Sequence, residues 1–286
     1  MGGAIELRRG SGAVSVQKKV LAIGTCRVQQ PIPFMPEGSP VAFEWPGHRV
    51  HTINQAILLA RYMNGANCIA DNMLHTLSTE AFRQALRDPT FPHRLKARRK
   101  HFFELVENYD GFLVEISSAK EFVLQRKGER RFLNTFIKRD LERHAARIGR
   151  RARTGDLADI EPESIRSFVP TSDVIVESMQ ALKAFLRGKP IIWASHANVV
   201  EQPERYGAVH KTRAAIAQTV QQGAASLGDV FYDPTDLVRQ HGHAAIFAKD
   251  GTDLVHFSDF ALQRLAEIYG SLAAKMLDTP GSGRTI

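Results

Sequence analysis

Short, continuous apolar runs alternate along this sequence with longer segments of helical periodicity. Five runs predict buried strands, at residues 20–23, 67–70, 111–116, 190–194 and 229–232. Runs without polar alternation are typical of strands that are covered on both faces. Four segments with apolar residues every three to four positions predict helices, at residues 52–64, 172–187, 210–227 and 258–277. Alternation at this spacing predicts an α/β fold, a three-layer α/β/α sandwich around a mostly parallel five-stranded sheet.

The pattern predicts one domain over residues 18–277, flanked by a flexible N-terminal tail at 1–17 and a C-terminal tail at 278–286. Residues 119–166 interrupt the alternation with a strongly basic segment of helical character, which predicts an inserted helical hairpin or lid between the third and fourth strands. Residues 30–49 are rich in proline, glycine and aromatic side chains, so we expect a long loop after the first strand.

Composition narrows the class of protein. With 43% hydrophobic and 24% charged residues, the 286-residue chain has the composition of a soluble globular protein. No stretch approaches the roughly 18 uninterrupted apolar residues of a membrane helix, and the N-terminal segment lacks the apolar centre of a secretory signal. Cys26 and Cys68 are the two cysteines, too few for a disulfide scaffold or a cysteine-based zinc site. We therefore expect a protein of the reducing cytoplasm.

Positive charge indicates an anionic partner. The net charge is +8, and the basic residues concentrate in 94–101 and 126–153. One interpretation is a patch that binds phosphates such as those of coenzyme A, an acidic glycan, or an anionic membrane surface through residues 94–153. The other is a solvated helix face, which is how most charge runs are used. Aromatic and basic residues are not interleaved, so we do not expect a nucleic-acid partner. No pattern in the sequence specifies an oligomeric state.

Cys26 follows the first predicted strand at a glycine turn. Gly24 allows close backbone approach in such a turn, so the Cys26 side chain can stand above the sheet edge. A helix beginning there, together with the neighbouring Arg27, would favour the thiolate over the thiol. The alternative is that Cys26 is a small buried hydrophobic residue, as free cysteines often are. Position alone leaves both interpretations open.

His256 lies just ahead of the last predicted helix, three residues after Asp253. A carboxylate at this spacing can hydrogen-bond one ring nitrogen and fix the tautomer, which leaves the other nitrogen to act as a general base. Ser258 has the place of the N-cap of the final helix. Because Asp-x-x-His is a short pattern, the alternative is a surface histidine in a loop.

Taken together, the two ends of the domain resemble the SGNH, or GDSL-like, hydrolase superfamily. Gly24-Thr25-Cys26 stands where that superfamily has its nucleophile block after the first strand, and Asp253-Leu254-Val255-His256 matches its Asp-x-x-His block before the last helix. The chain resembles a cysteine-nucleophile variant, similar to GSCFA-type domains and to the coenzyme A-binding, acetyltransferase-like proteins of capsule biosynthesis. In order and spacing the resemblance covers residues 18–277. It implies catalytic roles for Cys26, His256 and Asp253.

The oxyanion-binding groups are less clearly marked. The superfamily's Gly-x-Asn-Asp block is absent, and Glu115-Ile116-Ser117-Ser118 stands in its place after the third strand. Ser117 and Ser118 could donate hydrogen bonds to an oxyanion. His196 and Asn198, after the fourth strand, are further candidates, although an asparagine here can equally stabilise a turn. Other residues are assigned by position alone, namely Gly24, Thr25 and Arg27 as substrate-binding neighbours of Cys26, His51 near the cleft, and Asp71-Asn72 in place of the central glycine block.

The pattern and the resemblance together predict an acyl-transfer enzyme. The preferred hypothesis is an O-acyltransferase that moves acetyl from a thioester donor such as acetyl-coenzyme A to a sugar or glycan hydroxyl, with a related esterase as the close variant. Coenzyme A would then be a co-substrate, and no tightly bound cofactor or metal is expected. His241-Gly242-His243 is a weak metal pattern. The alternative is a non-catalytic carbohydrate- or nucleotide-binding module on the same fold, with Cys26 packed in the core.

Overall fold

The computed structural model describes residues 17–64, 105–126, 129–133, 165–201 and 204–278. The strands in this part of the chain are β1 (Lys18–Ile23), β2 (Val41–Glu44), β3 (Gly111–Ile116), β4 (Glu121–Arg126), β5 (Glu129–Leu133), β6 (Ile165–Phe168), β7 (Ile191–Ser195), β8 (Val230–Tyr232), β9 (Phe247–Ala248) and β10 (Asp253–Phe257). The helices are α1 (Cys26–Gln29), α2 (Ile53–Met63), α3 (Leu105–Asn108), α4 (Ser172–Phe185), α5 (Gly207–Ser226), α6 (Thr235–His241), α7 (His243–Ile246) and α8 (Asp259–Asp278), with a 3-10 turn at Ile32–Phe34.

The central sheet has five parallel strands in the order β2-β1-β3-β7-β8. The chain builds the sheet outward from β1 in one direction to β2 and in the other to β3, so the strand order reverses between β1 and β3. In open α/β sheets, such a reversal opens a crevice at the carboxyl ends of the two strands, where ligands bind. Ile23 and Val114 are paired in register near those ends. The turn that carries Cys26 therefore begins at the crevice.

Side chains of the central strands alternate between two apolar cores. Leu21 and Ile23 point into one core with residues of α2, α4 and α5, while Val20 and Ala22 point into the other with residues of α6, α7 and α8. Helices therefore cover both faces of the sheet, which explains why the central strands read as continuous apolar runs. The predicted three-layer α/β/α architecture with a mostly parallel five-stranded sheet is confirmed.

The strand at one edge of the sheet was missed from the sequence. Val41–Glu44 lies inside the segment 30–49, for which we expected a long loop, and it pairs with β1. Its buried residues, Val41 and Phe43, alternate with half-buried ones, so it lacks the continuous apolar run that marks the central strands. The loop prediction is wrong at these four residues. The predicted strand at 67–70 lies outside the described residues.

The prediction for the inserted segment 119–166 is also wrong in its described part. We expected it to be helical, but its described residues form a three-stranded antiparallel sheet in the order β5-β4-β6. Apolar residues pair across the β4–β5 hairpin, with Phe122 opposite Leu133 and Val123 opposite Phe132. Such cross-strand pairs stabilise a sheet, whereas the helical interpretation rested on the basic character and the apolar spacing of residues 123–148 in the sequence. Residues 134–164 of the predicted insertion lie outside the described part.

Polar side chains tie this small sheet to the start of α2. The buried Glu121 carboxylate accepts hydrogen bonds from Thr52 Oγ1 at 2.8 Å and from Asn54 Nδ2 at 3.0 Å. Gln55 Nε2 donates to the Leu133 carbonyl at 2.7 Å. Because Thr52 is also the N-cap of α2, the insertion fixes the segment that leads into this helix from the crevice.

The long helices follow the prediction closely. The observed helices α2, α4, α5 and α8 overlap the four predicted segments, and Ser258 caps α8 by accepting a hydrogen bond from Ala261 N at 3.2 Å. The predicted tails at 1–17 and 278–286 lie almost wholly outside the described residues. None of the described helices combines the length and the apolar character that crossing a bilayer requires.

Candidate active site

Cys26 is the first residue of a one-turn helix that begins directly after β1. Thr25 is its N-cap, and its Oγ1 accepts a hydrogen bond from Arg27 N at 3.4 Å. The Cys26 side chain is nearly buried, with 7% exposed. As the first residue of a helix, Cys26 has no intrahelical acceptor for its backbone N–H. The expected turn from strand to helix at Cys26 is confirmed.

Gly24 permits the close packing of this turn against β3. A Cβ atom at Gly24 would lie 2.7 Å from Glu115 Cβ and 2.8 Å from Val28 Cγ2. Both distances are shorter than real Cβ contacts allow. The glycine is therefore required by the close approach of the turn that carries Cys26 to the central strand β3, as its place in the sequence predicted.

Glu115, near the end of β3, holds the turn that carries Cys26 through hydrogen bonds to its carboxylate. Its Oε2 accepts hydrogen bonds from Thr25 N at 2.8 Å and from Thr25 Oγ1 at 2.6 Å, and its Oε1 accepts one from Arg27 Nε at 2.5 Å. Glu115 and Arg27 are both buried. One carboxylate thus holds both sequence neighbours of Cys26. This role of Glu115 was not predicted, since the only signal in the sequence was an acidic residue in an otherwise apolar strand.

Asp253 and His256 form the pair that the sequence predicted. The two side chains are joined at 3.0 Å through Asp253 Oδ2 and His256 Nδ1. Asp253 Oδ1 accepts hydrogen bonds from the backbone N–H of Val255 at 3.1 Å and of His256 at 3.3 Å. The hydrogen bond from His256 is the main cause that lowers the pKa of Asp253. An ionised Asp253 makes Nδ1 the donor, which leaves Nε2 of the half-exposed neutral His256 ring as an acceptor.

His256 lies on a strand rather than in the loop that we considered as the alternative. Strand β10 pairs antiparallel with β9 through Asp253 opposite Ala248 and Phe257 opposite Phe247, and the register shifts between these two pairs. The three intervening residues therefore form an irregular bulge. Bulges change the direction in which a strand's side chains point, and they are common beside active sites.

Two arginines bind the carbonyl groups of this bulge. Arg27 Nη1 donates to the Val255 carbonyl at 3.3 Å. Arg213 on α5 donates through Nη2 to the Leu254 carbonyl and through Nη1 to the Ala197 carbonyl, both at 2.9 Å. Burial and the nearby Arg27 lower the pKa of Arg213 to about 10, so the guanidinium is charged at neutral pH. No motif in the sequence pointed to Arg213.

The structure therefore places Cys26 and His256 on neighbouring elements. Arg27, the residue after Cys26, reaches the carbonyl of Val255, the residue before His256. Within the described residues, no hydrogen bond joins Cys26 Sγ to the His256 ring. Catalytic hydrogen bonds are often long in ligand-free sites and tighten when substrate binds.

Two histidines near Arg27 are held in the neutral form. Burial, followed by Arg27 and Arg213, lowers the pKa of His196 well below its usual value. Burial, with smaller contributions from Arg27 and Arg49, lowers the pKa of His51 to about 3. His196 donates through Nδ1 to the carbonyl of Ala197 at 2.9 Å because a carbonyl can only accept. Both rings are thus neutral hydrogen-bonding groups at physiological pH.

Three of the candidate oxyanion residues make internal contacts. The backbone N–H groups of Ser117 and Ser118 donate to the His51 carbonyl at 2.9 and 3.0 Å. Asn198 donates through Nδ2 to the His210 carbonyl at 3.1 Å, and its Oδ1 accepts from Val199 N at 2.8 Å. These contacts stabilise the loops after β3 and β7, as the turn-stabilising alternative for Asn198 foresaw. A role of these residues in substrate binding stays a prediction.

His243, in the segment that was only a weak metal pattern, makes hydrogen bonds to the backbone. His243 Nε2 accepts hydrogen bonds from the backbone N–H groups of Val200 and Glu201 at 3.0 and 3.1 Å, so this ring joins α7 to the loop after β7. Among the described residues, no group of three or more histidine, cysteine, aspartate or glutamate side chains is arranged to hold a metal ion.

Comparison with known proteins gives one family and several distant structures. Residues 18–128 and 124–270 match the family model described as the TviD N-terminal domain. No curated protein matches the chain significantly in sequence. A candidate SGNH hydrolase from Slackia heliotrinireducens is 12% identical, with a TM-score of 0.44 over 90% of this chain and 100% of its own. A catalytic mutant of an acetylxylan esterase from Geobacillus stearothermophilus is 12% identical, with a TM-score of 0.41 over 94% and 97%.

Proposed function

The chain belongs to the TviD N-terminal domain family, and we propose that it is an acyl-transfer enzyme whose nucleophile is Cys26. The observation that carries the proposal is the site at the strand-order reversal. There Cys26 begins a helix on a turn that Glu115 fixes. The His256–Asp253 pair lies on β10, whose Val255 carbonyl accepts a hydrogen bond from Arg27 of the same turn. A nucleophile, a base and a residue that orients the base are the parts that covalent acyl transfer needs.

The proposed reaction has two halves. In the first, His256 Nε2 accepts the proton of the Cys26 thiol, and the thiolate attacks the carbonyl carbon of the acyl donor. The tetrahedral intermediate collapses by breaking the bond to the donor's sulfur or oxygen, which leaves with the proton from His256. In the second half, His256 removes a proton from the acceptor hydroxyl, and the hydroxyl oxygen attacks the carbonyl carbon of the acyl-cysteine. The bond between that carbon and Cys26 Sγ then breaks, and His256 returns the proton to the Cys26 thiolate.

The backbone N–H of Cys26 is our candidate for the first oxyanion donor. Its position at the start of α1 leaves it without an intrahelical acceptor, and it lies on the same residue as the attacking sulfur. Ser117 Oγ, Ser118 Oγ and Asn198 are candidates for the remaining donors. The neutral His196 ring spends its one N–H on the Ala197 carbonyl, so its Nε2 can only accept a hydrogen bond from the substrate. Thr25 and Arg27 would contribute by holding the turn rather than by touching the substrate, since Glu115 engages both.

A thiol nucleophile favours transfer from a thioester. Exchange between a thiolate and a thioester is nearly balanced, because one sulfur replaces another, and the acyl-cysteine stays reactive toward a hydroxyl. We therefore propose acetyl-coenzyme A or a similar thioester as the donor and a sugar or glycan hydroxyl as the acceptor, with an esterase as the variant in which water is the acceptor. An anionic glycan or membrane surface at residues 94–153, and a cytoplasmic location, remain part of the proposal.

Mass spectrometry of the intact protein tests the nucleophile. Wild-type protein incubated with an acetyl thioester should gain one acetyl group, and the Cys26→Ala variant should gain none. The Cys68→Ala variant is the matched control, because it removes the other cysteine and should acylate as the wild type does. Equal acylation of the wild type and the Cys26→Ala variant would contradict the proposal.

A non-catalytic binding module is the second candidate. It is favoured by the near-complete burial of Cys26 and by the missing contact between its sulfur and the His256 ring in the described residues. Alkylation rates separate the two functions. A nucleophilic Cys26 should react with iodoacetamide faster than a free thiol at neutral pH, and the rate should fall in a His256→Asn variant. A packed Cys26 should resist alkylation in both proteins.

A further inference from the structure

The backbone between Asp253 and His256 has two carbonyl groups in its middle, those of Leu254 and Val255. Both fall in the bulge of β10, between the residues that pair with β9. Carbonyl groups that leave a strand ladder need other donors when they are partly buried. Here each receives a guanidinium N–H, from Arg213 at 2.9 Å and from Arg27 at 3.3 Å.

The two arginines come from different parts of the site. Arg27 belongs to the nucleophile turn, and its other end is held by Glu115 on β3. Arg213 belongs to α5 and also binds the Ala197 carbonyl, in the loop after β7. The bulge is therefore connected on one side to the turn of Cys26 and on the other to the loop that carries His196 and Asn198.

The contacts of Arg213 are directed at backbone oxygens. In the part of the chain that the structure describes, its hydrogen bonds go to two carbonyl groups, and no carboxylate there forms an ion pair with it. A guanidinium presents its N–H groups in a rigid planar fork, so a two-carbonyl contact fixes the distance between the two segments that it joins. A lysine in this place could reach one carbonyl but could not hold both in one plane.

We propose that Arg213 is a positioning residue for the acid–base pair: together with Arg27 it clamps the bulge of β10 and sets the direction of the His256 ring toward Cys26. Among the described residues no hydrogen bond joins Arg213 to Cys26 or to the His256 ring, so Arg213 acts through the backbone. The catalytic consequence rests on the proposed function, whereas the clamp itself rests only on the contacts of the two arginines.

The closing experiment compares four proteins: the wild type, Arg213→Met, Arg213→Lys and Arg264→Met. Methionine keeps much of the apolar stem of arginine and removes both hydrogen bonds, and lysine keeps the charge. Arg264→Met is the matched control, because Arg264 lies exposed on α8 in an ion pair with Glu267. Amide hydrogen exchange, the chemical shifts of the His256 ring, and kcat with KM for thioester acylation are measured on each full-length protein.

For Arg213→Met we expect exchange across residues 253–257 to be about 10-fold faster and the His256 ring signals to shift. We expect kcat to fall about 10²-fold with KM within about 3-fold of the wild type, because misplacing a base by about 1 Å acts on the chemical step. Arg213→Lys should recover part of kcat, and Arg264→Met should match the wild type in every measurement.

Three results would each contradict one part: the clamp, the positioning role or the proposed function. If the amide hydrogen exchange over residues 253–257 and the His256 ring shifts of Arg213→Met equal those of Arg264→Met, the clamp is wrong, whatever the activity. If Arg213→Met loosens the bulge but raises KM with kcat unchanged, Arg213 serves substrate binding and the positioning role is wrong. If the bulge loosens and even the wild type forms no acyl-enzyme, the clamp stands and the proposed function fails.

Discussion

Glu115 and Arg27 form a buried ion pair, with 2.5 Å between Glu115 Oε1 and Arg27 Nε, directly beneath the turn that carries Cys26. The same carboxylate accepts two hydrogen bonds from Thr25. The residues before and after Cys26 are thus fixed by one acidic group from the neighbouring strand. A rigid support of this kind is what holds a reactive side chain in a productive geometry.

Replacement of Glu115 by glutamine should strongly destabilise the protein. Glutamine removes the charge that compensates Arg27, and removing one partner of a buried pair costs about 3–5 kcal/mol. Urea unfolding followed by circular dichroism measures the change. The Glu267→Gln variant breaks the exposed pair with Arg264 and should cost less than about 1 kcal/mol. Equal losses in the two variants would show that burial does not strengthen the Glu115–Arg27 pair.

An alanine at position 24 should force the turn that carries Cys26 away from β3. Its Cβ would meet Glu115 Cβ at 2.7 Å, and overpacking of this kind costs about 1–3 kcal/mol. We expect acylation of Cys26 to fall with it, because the displaced turn carries the sulfur. Gly207→Ala is the control, since no atom lies within 4 Å of a Cβ added there. A Gly24→Ala variant with wild-type stability and acylation would refute the close-packing explanation.

The Asp253→Asn variant should lower kcat far more than it changes KM. An asparagine can present its N–H₂ group to the ring and so favour the tautomer with the proton on Nε2, which cannot accept the thiol proton. General base catalysis contributes about 10²–10⁴-fold, and we expect a loss in that range for both Asp253→Asn and His256→Asn. The rate of acyl-enzyme formation measures it. His241→Asn, outside the site, should acylate at the wild-type rate.

Acid should destabilise the fold partly through its two neutral histidines. The ordinary pKa of a histidine is about 6.5, whereas that of His51 is lowered to about 3 and that of His196 is also lowered. Between the two values the unfolded chain binds more protons than the folded one, so the free energy of unfolding decreases as the pH falls. Each histidine contributes a slope of up to about 1.4 kcal/mol per pH unit.

Urea unfolding at about pH 7, 6, 5 and 4 tests this dependence, because steps of about one pH unit define the slope of the free energy of unfolding against pH. The groups that repel a proton on His196 are Arg27, Arg213 and His51, and all remain in the His196→Gln variant. That variant should show a shallower slope than the wild type, and an exposed-site control, His241→Gln, should keep the wild-type slope. Parallel slopes in all three proteins would contradict the assignment to His196.

The layers of the fold could be predicted because they follow from local patterns. Continuous apolar runs such as Ile191–Ser195 indicate strands covered on both faces, and the helical periods place the covering helices. Strand β2 was not predicted because, at the edge of the sheet, its buried residues alternate with half-buried ones and form no continuous apolar run. The sheet of β4, β5 and β6 was not predicted, because strand pairing depends on contacts between separate segments. The apolar spacing along the sequence fitted a helix as well.

The sequence by itself determined the positions at which chemistry can occur. A cysteine after a strand-end glycine, and a histidine three residues after an aspartate, are local arrangements that the residue order fixes. Only the tertiary structure decided how these positions are held. Glu115 lies 88 residues from Arg27, and Arg27 lies 228 residues from Val255. Hydrogen bonds and ion pairs across such separations exist only after the sheet has formed, so no spacing in the sequence could reveal them.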